Sequence, residues 1–121
     1  MIIAVTGGRD YDNWANAWSA LLPHAVLGNV LINGGARGAD KICHKIWTRD
    51  FQLPSITVPA GWERMGKAAG MARNHAMAVG NSIAPHAVLK PDLLLRFPGG
   101  PGSAGMESEC RREDIEVIQC A

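Results

Sequence analysis

The sequence predicts a single α/β domain of the Rossmann-like class, and three observations lead to this prediction. The chain has 121 residues, which is the usual size of one domain. Apolar runs of strand length alternate with helical segments, an order that produces parallel sheets through right-handed βαβ units. Fourteen glycines cluster where the apolar runs stop, rather than being scattered as in a disordered chain. We therefore expect one domain over residues 1–121.

Five short runs are expected to form a mostly parallel sheet with helices on both faces. A continuous apolar run is typical of a strand that is covered on both sides. The predicted strands are residues 2–6, 30–32, 55–58, 92–97 and 115–118.

The first helix is expected to start at an Asp12 cap and to end at Pro23. Its apolar residues recur at helical spacing and should face the core. They are Trp14, Ala17, Trp18, Leu21 and Leu22.

Three further helices are expected. The second covers about 37–51 and buries Trp47 within its apolar stripe, and the third covers about 67–79. Ser103 is expected to cap the last helix. Residues 81–91 contain two prolines and are expected to form a loop.

Composition excludes several classes of protein. Twelve Lys and Arg against eleven Asp and Glu give a net charge of +1, which argues against a chain-wide polycationic nucleic-acid binder. No apolar run has the length of a membrane helix, and the first residues lack the basic lead of a signal peptide. We expect a cytoplasmic protein with no membrane partner.

The cysteines and histidines predict neither a disulfide framework nor a metal site. Cys43, Cys110 and Cys120 are an odd number without CxxC spacing, so we expect reduced thiols in or near the core. The histidines lack metal-ligand spacing with a third donor. We expect no metal and no cofactor.

The loops that follow the predicted strands point to an anionic ligand. Ligands of such sheets bind at the carboxyl ends of the strands, and glycine lets backbone N–H groups approach an anion there. Three of the four loops carry an arginine, and Lys67 and Arg73 lie near the third. The loops are residues 7–10, 34–40, 61–64 and 98–103. No Walker P-loop is present, and no GxGxxG dinucleotide fingerprint follows the first predicted strand.

Taken together, four segments resemble the SLOG superfamily, and most closely its YspA and cpYpsA-related branch. They are Thr6–Tyr11, Gly34–Asp40, residues 66–74 with Gly66, Gly70, Arg73 and Asn74, and Phe97–Ser103. The resemblance runs over nearly the whole chain. It implies a Rossmann-like nucleotide-binding fold, a nucleotide-type small molecule as partner, and a homodimer or higher homo-oligomer.

The resemblance also implies an enzymatic alternative, the LOG-type phosphoribohydrolases that release base from nucleoside 5′-monophosphates. The segment Arg73–Met77 is similar to their arginine helix, and Pro98–Ser103 to their phosphate loop. Met106 occupies the position of their acid. Because a carboxylate stabilises the oxocarbenium-like state of glycoside cleavage, Glu107, Asp10 or Asp40 would have to replace it, with Arg73 positioning the substrate.

A third alternative is a single-stranded DNA module that resembles DNA-processing protein A. The segment Gly34–Asp40, followed by His44, is similar to a motif of that family. Trp62 follows a strand edge, where it either stacks on a base or closes the core. The near-neutral charge makes nucleic acid the less favoured partner.

The leading hypothesis is therefore binding of a nucleotide or a nucleotide-derived small molecule at the carboxyl edge of the sheet. Arg73, Glu107 and Asp40 are the candidate catalytic residues of the enzymatic alternative. The candidate ligand- and phosphate-binding residues are Gly8, Arg9, Gly35, Arg37, Gly99, Gly100, Gly102, Ser103 and Trp62.

Overall fold

A computed structural model describes residues 1–58, 69–79 and 90–121. Its strands form one five-stranded, all-parallel sheet in the order β3-β2-β1-β4-β5. The strands are β1 (Ile2–Thr6), β2 (Val30–Asn33), β3 (Ser55–Thr57), β4 (Leu93–Arg96) and β5 (Glu116–Gln119).

Helices connect the strands in the predicted order. They are α1 (Trp14–Leu21), followed by a 3₁₀ turn (Leu22–His24); α2 (Ala39–Lys45), which continues as a π-helical turn (Ile46–Asp50); α3 (Ala69–Val79); and α4 (Pro101–Arg112). The Rossmann-like α/β prediction is confirmed. None of the helices in the described ranges is both long and apolar enough to cross a membrane.

The core lies on both faces of the sheet because successive strand residues point to opposite sides. Ile3 and Val5 of β1 pack with residues of α1, α2 and the π-helical turn after α2, which contributes Trp47. Ala4, between them, belongs to a second cluster with α3 and α4, which contains Met106. The short strands are therefore covered on both sides, as their uninterrupted apolar character predicts.

The strand order places a switch point beside β1. From β1 the chain moves outward through β2 and β3, and then returns to add β4 on the other side of β1. The loops after β1 and β4 therefore leave the sheet toward opposite faces and open a crevice between them. Ligands of open α/β sheets bind at such a crevice.

Two expectations about α1 are wrong. Its N-cap is Asn13, whose side chain accepts the N–H of Asn16 at 3.1 Å, rather than Asp12. Trp14, Trp18 and Leu22 are 47%, 40% and 47% exposed, so they do not belong to the core. The periodicity identified residues that share a face, but only the inner part of that face meets the sheet layer, through Ala17 and Leu21.

The remaining bounds are close to the prediction. The loop expected over 81–91 and the first two residues of the third predicted helix lie outside the described residues, apart from residues 90 and 91. Cys43 and Cys110 are buried and Cys120 is partly buried, all as free thiols.

Candidate functional site

A cleft of about 940 Å³ opens at the switch point between β1 and β4. Its walls come from the end of β1 with the following loop (residues 6–11), the start of α2 with Ala36 before it, and the first half of α3. The loop after β4 (residues 98–100) and the start of α4 complete the walls. Its volume is in the range of pockets for small molecules and cofactors.

The floor of the cleft is a contact between two glycines, Gly8 after β1 and Gly99 after β4. Gly8 donates its N–H to the carbonyl of Pro98 at 2.8 Å. A Cβ on Gly8 would lie 2.8 Å from the Cα of Gly99, and one on Gly99 would overlap the backbone of Gly8. Gly99 also has a φ of +153°, which disfavours any side chain. The two loops therefore touch backbone to backbone.

Beyond this contact the chain enters α4, whose first turn faces the cleft. Pro101 is the first helical residue, and Gly100 is the N-cap without a side-chain hydrogen bond. The first N–H groups of a helix have no partner within the helix. A Cβ at Gly100 or Gly102 would meet no atom within 4 Å, so open space lies directly over this backbone.

Ser103 lies inside the first turn of α4, so its prediction as the cap is wrong. The cap is Gly100 and the helix begins three residues earlier than predicted, because proline is well suited to the first helical position. The buried Ser103 hydroxyl lies 3.2 Å from the hydroxyl of Thr6 at the end of β1. This contact joins α4 to β1 at the inner wall of the cleft.

The loop after β2 is ordered by side chains that bind its peptide groups. Asn33 accepts the N–H of Gly35 at 2.9 Å, and Asp40 accepts the N–H groups of Gly34 and Ala36 at 3.1 and 3.3 Å. The N–H of Ala39 then donates to the carbonyl of Gly8 at 3.2 Å. These bonds hold the start of α2 against the loop after β1.

Asp40 is a buried carboxyl group in the wall of the cleft. Asp40 is only 5% exposed. Burial raises the pKa of Asp40 to about 6, although Arg73 and the two N–H donors favour its ionised form. Asp40 therefore changes its protonation state close to neutral pH.

Arg73 reaches the same place from α3. Its Nη1 donates to the carbonyl of Gly34 at 2.7 Å, so the peptide groups of Gly34 link Arg73 to Asp40. Burial lowers the pKa of the Arg73 guanidinium, and Arg9 lowers it further. Two arginines from different elements thus bring positive charge to one cleft.

A sequence profile of the YspA, cpYpsA-related SLOG family matches residues 1–65 of the chain. The match covers more than half of its 121 residues. The chain belongs to this SLOG family. It is also similar to the Gene 61 protein of Mycobacterium phage D29, with 31% identity over 126 aligned positions that span 96% of this chain and 93% of the phage protein. SLOG membership suggests a nucleotide-related ligand.

Most of the predicted site residues of this SLOG chain lie together. Those that line the cleft are Gly8, Arg9, Asp40, Arg73, Gly99, Gly100, Gly102 and Ser103.

Glu107 is not brought to the cleft. Its carboxylate accepts hydrogen bonds from Arg96 of β4 at 2.9 Å, Arg111 at 2.9 Å and Gln119 of β5 at 2.5 Å. These bonds, Arg96 first, lower the pKa of Glu107 to about 2. Met106, at the position of the LOG-type acid, is buried in the core. We call Glu107, Arg96, Arg111 and Gln119 the ion-pair cluster.

Two other predicted residues, Gly35 and Arg37, lie apart from the lining. Gly35 has a φ of +74°, and a Cβ there would lie 2.8 Å from a methyl group of Thr57. The conformation and packing of this loop therefore account for glycine at position 35. Arg37 is exposed and approaches Asp10 at 3.5 Å. Trp62 lies outside the described residues.

Sequence reasoning assigned no role to two polar residues of the cleft. Asn74 receives the Nε–H of Arg73 at 3.0 Å and donates to the carbonyl of Gly102 at 3.1 Å. The ring of Tyr11 packs in a tilted orientation against the ring of Phe97, with 5.2 Å between the ring centres. The sequence signal that could have identified Asn74 is its position next to Arg73, as a polar residue within an alanine-rich helix.

Proposed function

We propose that this chain binds a nucleotide or a nucleotide-derived small molecule, with a phosphate group against the first turn of α4. The observation that carries the proposal is the open space over Gly100 and Gly102, at a helix N-terminus that faces Arg9 and Arg73 across the cleft.

The electrostatics of this turn suit a phosphate group. A helix N-terminus carries about half a positive charge and unpaired N–H groups, and anions bind there. Glycine at 100 and 102 allows a phosphate oxygen to approach the backbone closely. Arginine from a second element adds charge-assisted hydrogen bonds.

The rest of the cleft has room for the remainder of a nucleotide. Tyr11 and Met71 line it and offer apolar surface to a base, while Asp10 offers a carboxylate to sugar hydroxyls. A cleft of this volume holds a molecule of nucleotide size.

Release of the base from a nucleoside 5′-monophosphate is the second candidate function, and Asp40 is the observation that favours it. A carboxyl group with a pKa of about 6 exchanges protons at neutral pH, as general acid–base catalysis needs. If this reaction occurs, Asp40→Asn abolishes base release while binding persists. Absence of free base after incubation of wild-type protein with the four common nucleoside monophosphates would eliminate this candidate.

Gly102→Ala tests the binding proposal, because the new methyl group enters the proposed phosphate space without meeting protein atoms. We expect the affinity for adenosine 5′-monophosphate, ADP-ribose or inorganic phosphate to fall about tenfold or more in isothermal titration calorimetry. The free energy of unfolding should change by less than about 1 kcal/mol, since alanine is the better helix former.

Ser108→Ala is the matched control, since it changes an exposed residue farther along α4. It should leave both quantities unchanged. Equal affinity of wild type and Gly102→Ala, or no binding of any phosphate-bearing probe by wild type, would refute the proposal.

The proposal also includes assembly of the chain into a homodimer or higher homo-oligomer and its location in the cytoplasm. Analytical ultracentrifugation with and without the nucleotide measures the first, and fractionation of the source cells measures the second.

A further inference from the structure

Two groups that line the cleft, Arg73 and the first turn of α4, come from different helices, and one side chain connects them. Arg73 belongs to α3, and Gly102 belongs to the first turn of α4. Asn74 accepts the Nε–H of Arg73 through its Oδ1 at 3.0 Å and donates from its Nδ2 to the carbonyl of Gly102 at 3.1 Å. A single amide group therefore contacts both.

Asparagine is suited to this double contact by its chemistry. Its amide offers an acceptor and two donors within one rigid plane, so it serves an arginine N–H and a peptide carbonyl together. An aspartate would present a negative oxygen to the Gly102 carbonyl, and an apolar residue would serve neither group. Asn74 is only 7% exposed, and a buried amide is stable only when it is hydrogen-bonded.

The guanidinium of Arg73 is held at two points. Its Nη1 donates to the carbonyl of Gly34, and its Nε donates to Asn74. The first bond connects it to the loop after β2, and the second connects it to α4 through Asn74. Removal of the second bond leaves the guanidinium with its Gly34 bond but without its hydrogen-bonded connection to α4.

We propose that Asn74 is a positioning residue, which fixes the guanidinium of Arg73 relative to the first turn of α4 so that both bind the same phosphate group. The inference rests on the proposed function. Its physical basis is preorganisation: donors that are already aimed at an anion bind it without paying the cost of ordering.

His75 provides a matched control in the next position of α3. Its Nδ1 lies 3.0 Å from the Glu109 carboxylate of α4, so it also connects α3 to α4. His75 does not line the cleft. If Asn74 merely joined the two helices, loss of the His75 contact would have the same consequences as loss of the Asn74 contacts.

The first measurement needs no ligand. In ¹H–¹⁵N NMR spectra of the full chain, the Nε–H signal of Arg73 is assigned by its loss in Arg73→Lys. We expect this signal to be sharp and slow to exchange in wild type and in His75→Ala, and to be broadened or lost in Asn74→Ala. An unchanged Arg73 signal in Asn74→Ala would overturn the inference.

The second measurement is the affinity for adenosine 5′-monophosphate, adenosine and inorganic phosphate. We expect Asn74→Ala to weaken binding of both phosphate-bearing probes about tenfold, the value of one to two hydrogen bonds, and to leave adenosine unaffected. In an Arg73→Ala background, Asn74→Ala should add little, because the two residues act as a unit. Equal losses for adenosine and its monophosphate would indicate a structural role and overturn the inference.

Asn74→Ser replaces Asn74→Ala if the alanine variant fails to fold, which thermal unfolding reveals. Failure of wild type to bind any phosphate-bearing probe refutes the proposed function, whereas an undisturbed Arg73 signal refutes the role of Asn74. The two failures are therefore distinguishable.

Discussion

Asp40 and Glu107 are both carboxylates proposed from sequence as acids, yet their regions differ in burial and in the hydrogen-bond donors that surround the carboxylate. Asp40 is buried at the start of α2 and accepts peptide N–H groups. Glu107 lies in the ion-pair cluster, where charged and amide side chains from β4, α4 and β5 surround it. Their pKa values are about 6 and about 2.

The difference shows that hydrogen-bond partners and burial, rather than the presence of a carboxylate, determine what an acid can do. Burial favours the neutral form of Asp40 more than its donors favour the ionised form, so it can exchange a proton near neutral pH. Three side-chain donors keep Glu107 ionised and occupy its carboxylate oxygens. The cleft combines backbone contacts with hydrogen bonds from side chains to peptide groups and leaves space for a ligand, whereas the ion-pair cluster joins three elements of the fold.

Gly99→Ala should have the largest effect and would break the cleft at its floor. The new Cβ overlaps the backbone of Gly8, and φ at this position is unfavourable for alanine. We expect the free energy of unfolding to fall by about 3 kcal/mol, from steric overlap and backbone strain together. Urea denaturation followed by circular dichroism measures it.

Gly100→Ala is the control for this prediction. Gly100 has a φ of −78° and open space around it, so its substitution should change stability by less than about 0.5 kcal/mol. If the two variants lost similar stability, the backbone contact between Gly8 and Gly99 would not be what holds the cleft together.

Asp40→Asn should change how the free energy of unfolding depends on pH. The pKa of Asp40 is raised in the folded state from 3.8 to about 6, so the folded protein binds the proton more tightly than the unfolded chain. Asp40 therefore lowers stability progressively as pH rises from about 4 to 6, and the penalty is constant above that. Relative to wild type, Asp40→Asn should gain about 2 kcal/mol of stability between pH 4 and pH 7.5.

Urea denaturation of both proteins at several pH values measures this gain. The difference between the two proteins at each pH removes the contribution of every other titrating group. A difference that does not change with pH would show that Asp40 is ionised in the folded state over the whole range.

The fold was predictable from sequence because its signals are local. Uninterrupted apolar runs identified the strands, and glycine after them identified the edge of the sheet. The exposure of Trp14 and Trp18 was not predictable, since helical spacing shows which residues share a face but not what covers that face.

The candidate site was predictable only in part, because its key contacts join distant parts of the chain. Gly8 and Arg73 could be singled out by residue type within loops and helix starts. The contact of Asn74 with Gly102 connects positions 28 apart, and Glu107 meets Gln119 from another element. Sequence spacing along one element carries no signal for such contacts.

Glu107→Gln should have the smallest effect and tests the other side of the comparison. The pKa of Glu107 is lowered from 4.5 to about 2, so its stabilising contribution is fully present above about pH 4.5 and is lost as pH falls toward 2. The variant should unfold at a lower urea concentration than wild type at pH 7, and this deficit should shrink between pH 5 and pH 3. The direction is opposite to that of Asp40.

The nucleotide affinity of Glu107→Gln tests whether the ion-pair cluster contributes to the cleft. Because the ion-pair cluster lies outside the cleft lining, Glu107→Gln should bind adenosine 5′-monophosphate within about twofold of wild type. Glu113→Gln is the control, since Glu113 has an ion pair with Lys90 at 3.6 Å and should lose less stability. A large loss of affinity in Glu107→Gln with stability retained would place Glu107 in the site and remove the distinction between the two carboxylates.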